Sequence, residues 1–136
     1  MSHYTKVRTT LRDVDVLAEA LKEVGFAKVE VNESPQPLHG FAGRTGVTRA
    51  ELIIRRRNAP GASADIGFAR SPDGSFTAVM DSMDRGRYGT QWLRRLTQAY
   101  GHMVALRYAL AHGYEVLTDE SEHDGTLRLT LRRFTG

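Results

Sequence analysis

GTQWLRRLTQAYGHMVALRYALAHG, residues 89–113, is the longest proline-free periodic stretch of the chain, and its reading decides the fold. Trp92, Leu96, Ala99, Met103, Leu106 and Leu110 follow one another at alternating steps of four and three, the repeat that aligns side chains on one face of an α-helix. Leu93, Tyr100 and Val104 widen the stripe, while Gln91, Arg94, Arg95, Gln98 and His102 lie towards the opposite side. The spacing therefore predicts a helix packed on a sheet rather than one buried all round. Gly113 supplies the stop, since glycine accepts a positive φ without a Cβ penalty.

Working outward from this helix, the flanking segments read mostly as strands. Thr5, Val7, Thr9 and Leu11 alternate with Tyr4, Lys6, Arg8 and Thr10, a two-residue period rich in β-branched side chains. Asp13 offers a helix N-cap, and Val14, Leu17, Leu21 and Val24 recur at helical spacing before Gly25 closes the segment. Lys28 to Val31 reads as a short strand. Asn32 to Thr48, with Ser34, Pro35, Pro37 and glycines at 40, 43 and 46, reads as a long loop. Glu51 to Arg57 resumes alternation, with Leu52 and Ile54 on one side and Glu51, Ile53, Arg55 and Arg57 on the other. Asp65 to Ala69 and Phe76 to Asp81 flank Ser71-Pro72-Asp73-Gly74-Ser75, the strongest hairpin signal in the chain. Tyr114 to Leu117 and Thr126 to Leu131 read as strands around the acidic loop Asp119 to Asp124.

Strands gathered in runs and interrupted by only two helices predict an α+β fold, an antiparallel twisted sheet of six to seven strands with two helices packed on one face. Val7, Leu11, Leu52, Ile54, Leu127, Leu129 and Leu131 are its expected helix-facing side chains. At 136 residues the chain fits a single domain, residues 1–136. Hydrophobic residues make up 40% and charged residues 26%, the balance of a globular chain rather than a disordered one. No apolar run of about 18 residues exists and the first residues carry no apolar signal core, which predicts a cytoplasmic protein with no membrane span. With no cysteine, thiolate catalysis, disulfides and Cys-based metal sites are excluded. A net charge of +3 and a pI near 9.5 are only mildly basic.

Several short blocks carry a family likeness in their order along the chain. They are Met1-Ser2-His3-Tyr4-Thr5, Arg12-Asp13-Val14-Asp15, Ala50-Glu51-Leu52-Ile53-Ile54-Arg55, Asp65-Ile66-Gly67-Phe68, Leu96-Thr97-Gln98-Ala99-Tyr100 and Gly125-Thr126-Leu127-Arg128-Leu129. Together they resemble the family of unknown function that includes hypothetical chloroplast reading frame 35 of plastids and cyanobacteria, over nearly the whole chain. The resemblance implies a small soluble protein without established activity, in a family with members encoded near AAA-type ATPases or ferredoxin-like proteins, which makes an AAA-type ATPase one expected protein partner. The segment Asn58 to Ala64 departs from the family pattern in being longer and richer in alanine. No catalytic residue carries over from a family that has none assigned.

Function is weaker in the sequence than fold. Lys6 and Arg8, Arg55 and Arg57, and Arg128 and Arg132 recur on strands, so neighbouring strands would give the sheet face away from the helices a cationic field suited to an acidic protein or a phosphate. The ordinary one-wet-face pattern of antiparallel sheets, with Glu51 as cross-strand partner, explains the same residues. Only Tyr4 is placed to stack a base beside those cations, which disfavours nucleic acid. Gly40, Gly43 and Gly46 precede a strand and lack the Gly-Lys-Ser/Thr arrangement of a phosphate loop. The five histidines form no i,i+4 pair, so neither metal nor cofactor is expected. The acidic loop lacks calcium-loop spacing. Trp92 falls on the helix stripe as a core residue, whereas Tyr88, beside Arg85 and Arg87, is the expected surface anchor. These readings point to a non-catalytic accessory or adaptor protein that binds a protein partner through the basic face or through Arg85, Arg87 and Tyr88. A nucleic-acid module using the same cations, and a ligand domain with its pocket beside the Gly40 to Gly46 loop, are the alternatives. Pairing of an open strand edge with a second copy also stays open.

Overall fold

Strand alternation near the amino end produces β1 (Tyr4–Arg8), and Asp13 then caps α1 (Val14–Glu23) by accepting from the Asp15 and Val16 amides at 2.9 and 3.1 Å. The computed structural model describes residues 4–40, 45–121 and 127–133, apart from the side chains of residues 45–47, 118, 120, 121 and 127. Gly25 follows α1 at φ 112°, the left-handed stop that its position in the sequence predicts. The chain continues through β2 (Glu30–His39), β3 (Thr45–Ile54), β4 (Ile66–Arg70) and β5 (Phe76–Asp81), a single turn α2 (Arg85–Tyr88), the long helix α3 (Thr90–Ala111), and β6 (Tyr114–Ser121) and β7 (Leu127–Arg133).

Five strands form one antiparallel sheet in the order β1-β5-β4-β3-β2, and β6 and β7 pair separately as a two-stranded sheet. The α+β class and the strand number match the sequence expectation; the division into five plus two does not. Its cause is the length of α3, whose 22 residues span about 33 Å at 1.5 Å per residue. Trp92, Leu93, Leu96 and Ala99 in its first half are buried, whereas Val104, Tyr108 and Leu110 are 44%, 58% and 67% exposed. The β6–β7 hairpin lies against this helix, where His102 Nε2 and Asp119 Oδ2 meet at 2.7 Å. Leu129 and Leu131 therefore belong to the hairpin and not to the main sheet, and Leu131 is exposed.

One apolar cluster joins both long helices to one side of the five-stranded sheet: Leu17 and Leu21 from α1, Trp92 and Leu96 from α3, and Leu52, Ile54, Ile66, Phe68 and Met80 from the strands. Burying each large side chain stabilises the fold by roughly 1.5–3 kcal/mol. Phe26, Tyr88 and Trp92 form an edge-on aromatic group within it, Tyr88 and Trp92 at 5.4 Å between centroids and Phe26 and Trp92 at 5.6 Å.

The segment read as a loop from Asn32 to Thr48 is largely strand. Between Val31 and Gln36, β2 carries three more residues than β3 does between Ala50 and Leu52, so the hairpin bulges and bends. Its distal part folds back over the sheet face away from the helices, where Leu38, Ala50, Ile53 and Val79 form a second buried cluster. Gly67 permits the approach: a Cβ there would stand 2.7 Å from that of Ala50 and about 3.0 Å from Leu38. Alternation also ends sooner than Arg57, because β3 stops at Ile54 and Arg56–Asn58 turn into a 3₁₀ helix.

Candidate functional site

β1 borders the main sheet, and among the described residues no strand pairs with its outer side. Antiparallel pairing turns alternate residues towards the neighbour. Register sets Val7 opposite Ala78 and Arg8 opposite Thr77, and the Thr9 amide donates to Phe76 O at 3.2 Å. Thr5, Val7 and Thr9 thus face β5 with their main-chain groups, leaving those of Lys6 and Arg8 directed outward. The side chains follow the same period: Val7 packs against the helix-side core, while Lys6 and Arg8 are exposed on the other face without an ion pair among the described residues. Beside the strand runs an open groove of about 490 Å³ between β1 and the first half of α3, lined by Val7, Arg8, Thr9, Leu93, Arg94 and Thr97 among others.

The expected continuous basic face is not assembled. Arg55 lies just beyond β3 with its side chain only 16% exposed, donating to Glu30 Oε2 and Asp65 Oδ2 at 2.8 Å each and to Pro37 O at 3.1 Å. Burial works against this charge, but the hydrogen bonds to Glu30 and Asp65 outweigh it and hold the guanidinium above its usual range. Glu30 is correspondingly held below the usual carboxylate range, first by its hydrogen bond from Arg55. Asp65 also accepts from the His39 and Arg56 amides at 2.8 Å, so one buried carboxylate ties together β2, the turn after β3 and the start of β4. The cation is a structural clamp in this position because carboxylates from two other segments surround it.

The remaining predicted cations are scattered. Arg57 sits in the 3₁₀ turn, where it borders a 350 Å³ cleft with Lys22, Lys28 and Asn58. Arg128 and Arg132 stand on β7, away from the main sheet, and Arg132 Nη2 pairs with Glu115 Oε2 at 2.5 Å. Arg85 and Arg87 are exposed on α2, but Tyr88 beside them is 4% exposed and donates its hydroxyl proton to Pro60 O. Tyr88 is thus a core residue rather than a surface anchor, because the short helix turns its ring onto Phe26 and Trp92.

Tyr4, the one aromatic available for stacking, packs against the second apolar cluster. Its hydroxyl is buried with no hydrogen-bond partner among the described residues, and burial, then the nearby carboxylates of Asp65, Asp81 and Asp84, push its pKa up to about 12. The cleft beside Gly40 holds about 190 Å³ and is lined by His39, Gly40, Arg55, Arg56, Arg57 and Asp65. Gly43, His3, Glu122, His123 and Asp124 lie outside the described residues, whereas Asp119 to Ser121, expected as loop, continue strand β6.

Sequence reasoning missed Leu93 and Arg94 as neighbours of β1, because helical periodicity assigns a face but not the strand beneath it. It also missed Glu30 and Asp65 as partners of Arg55. Asp65 did carry a signal, a carboxylate directly before the apolar run Ile66-Gly67-Phe68, a place where a buried charge requires a partner.

No helix among the described residues is long and apolar enough to cross a membrane. No solved structure matches the chain. Three relatives named "Uncharacterized protein ycf35" align with it over 98% of both chains: those of Cyanophora paradoxa at 24% identity, Pyropia yezoensis at 26% and Guillardia theta at 26%. A family model described as "Protein of unknown function (DUF1257)" matches residues 20–130, and the chain belongs to that family.

Proposed function

We propose that the chain is a non-catalytic accessory protein of the cytoplasm that binds a protein partner at the cationic β1 margin of its main sheet, centred on Lys6 and Arg8. The observation that carries this reading is a pair of exposed cations that form no salt bridge among the described residues, Arg8 having only the longer-range field of Asp73, on a strand whose outer side is likewise unpaired among those residues. Exposed charge of one sign steers an acidic partner and discriminates against a basic one. Arg55, Arg57, Arg85, Arg87, Tyr88, Arg128 and Arg132 take no part in this narrowed surface. Their sites are an internal clamp, a separate turn, the short helix α2 with its buried Tyr88 ring, and a separate hairpin. Nucleic acid is the poorer alternative because the ring of Tyr4 is packed into the protein rather than offered for stacking.

Affinity capture with the full chain and with Lys6→Glu plus Arg8→Glu tests the reading, with an AAA-type ATPase as the first partner to assay because the family resemblance points there. The double variant is expected to lose a partner that the wild type retains at low salt. Identical partners for both, or a salt-sensitive shift with single-stranded RNA that the double variant abolishes, would overturn it.

A further inference from the structure

We infer that β1 receives an extended acidic segment of the partner as an added sixth strand, with alternate apolar side chains entering the groove beside α3. The inference rests on the proposed cationic surface and adds the mode of binding and the chemistry of what is bound.

Three features converge on this strand. The outward-facing N–H and C=O groups of Lys6 and Arg8 form a row of donors and acceptors unfilled among the described residues, the template on which sheets add strands. An added strand would present its side chains alternately to the two sheet faces. On the helix side those side chains would meet Val7 and Leu93 in the groove, an apolar floor bordered by Arg8 and Arg94 and suited to a β-branched residue. On the other side they would meet the Lys6 and Arg8 side chains, which call for Glu or Asp. The fitting sequence therefore alternates acidic and apolar residues, and five residues suffice to cover β1.

A second copy of the chain fits less well. Two β1 strands laid side by side would bring Lys6 and Arg8 against their own duplicates, and facing like charges destabilise a sheet. The opposite edge of a second copy does not substitute, since β2 bears Glu30 and Glu33 but is interrupted by its bulge and by Pro35 and Pro37. Glu30 is in addition already held by Arg55.

A synthetic peptide of about seven residues in which Glu and Val alternate, long enough to span β1 at roughly 3.3 Å per residue, provides the probe. Two further peptides carry backbone N-methyl groups on either the Glu or the Val positions. Binding to the full-length protein is read by fluorescence anisotropy at low salt. The expected result is that one methylated phase loses about tenfold or more in affinity while the other binds like the parent, because only alternate residues of an added strand bond to its neighbour. Lys6→Glu plus Arg8→Glu should weaken the parent peptide by a similar factor. Equal binding by both methylated peptides, with the charge effect intact, would overturn strand addition and leave the cationic surface standing. Absence of peptide binding, or binding indifferent to the charge reversal, would overturn strand addition at this edge. Identical partner capture by wild type and double variant is what would remove the surface itself. A concentration-dependent dimer lost on charge reversal would instead assign the edge to a second copy.

Discussion

At β2 the main sheet ends on a bulge of three extra residues and two prolines, whereas at β1 it ends on an uninterrupted five-residue strand with outward-facing amides at Lys6 and Arg8. The β2 side is also fastened from within: Arg55, Glu30 and Asp65 bind one another and the main chain at His39 and Arg56. Among the described residues no such clamp holds β1, whose Lys6 and Arg8 are exposed. Proteins protect their sheet edges against unwanted pairing with the devices found at β2. Their absence at β1, apart from the two cations themselves, is what makes that edge a candidate interface.

The largest expected effect lies on the fastened side. Asp65→Ala would leave a half-buried guanidinium short of one partner and two part-buried backbone amides short of an acceptor, and should destabilise the protein by about 3 kcal/mol. Urea denaturation reads this directly, and a loss below about 1 kcal/mol would show that the clamp is incidental.

Proline scanning along β1 separates the two sides of a single strand. Val7→Pro removes an amide bonded to β5 and should destabilise by about 3 kcal/mol. Lys6→Pro removes an outward amide and should cost less than about 1 kcal/mol while preventing strand addition. Comparable losses at both positions would mean that Lys6 is paired already.

A smaller contrast is expected in acid. Glu30 has a folded pKa below its unfolded value, so the stability it contributes is complete above the unfolded carboxylate value of about 4.3 and is lost as pH falls through the lower folded one. Its side chain is 40% exposed, which screens the ion pair and keeps the effect modest. Thermal melts between about pH 5 and pH 3 should therefore fall more steeply for the wild type than for Glu30→Gln. Parallel curves would place the acid sensitivity elsewhere.

The two edges were unequally legible in the sequence. β1 could be read because Thr5 and Val7 alternate with Tyr4, Lys6 and Arg8, although the strand ends at Arg8 and not at Leu11 as the continued alternation suggests, and the α1 boundaries because Asp13 and Gly25 are local signals. The β2 edge read as loop because its prolines and glycines obey bulge and bend chemistry that short-range periodicity does not register. The burial of Tyr88 was hidden for another reason: a one-turn helix has too few residues to show a face. The pairing of Arg55 with Glu30 and Asp65 depends on contacts 25 and 10 residues away, which strand alternation cannot supply. Residues at period two reveal a shared face only while the strand lasts, and β3 ends before Arg55.

Amide hydrogen exchange at single-residue resolution, on the free protein and with the alternating Glu-Val peptide added, tests the openness of β1 most directly. Thr5 and Val7 should be protected in both samples, while the Lys6 and Arg8 amides should exchange rapidly in the free protein and become protected when the peptide binds. Protection of Lys6 and Arg8 in the free monomer, or unchanged exchange at saturating peptide, would contradict the account.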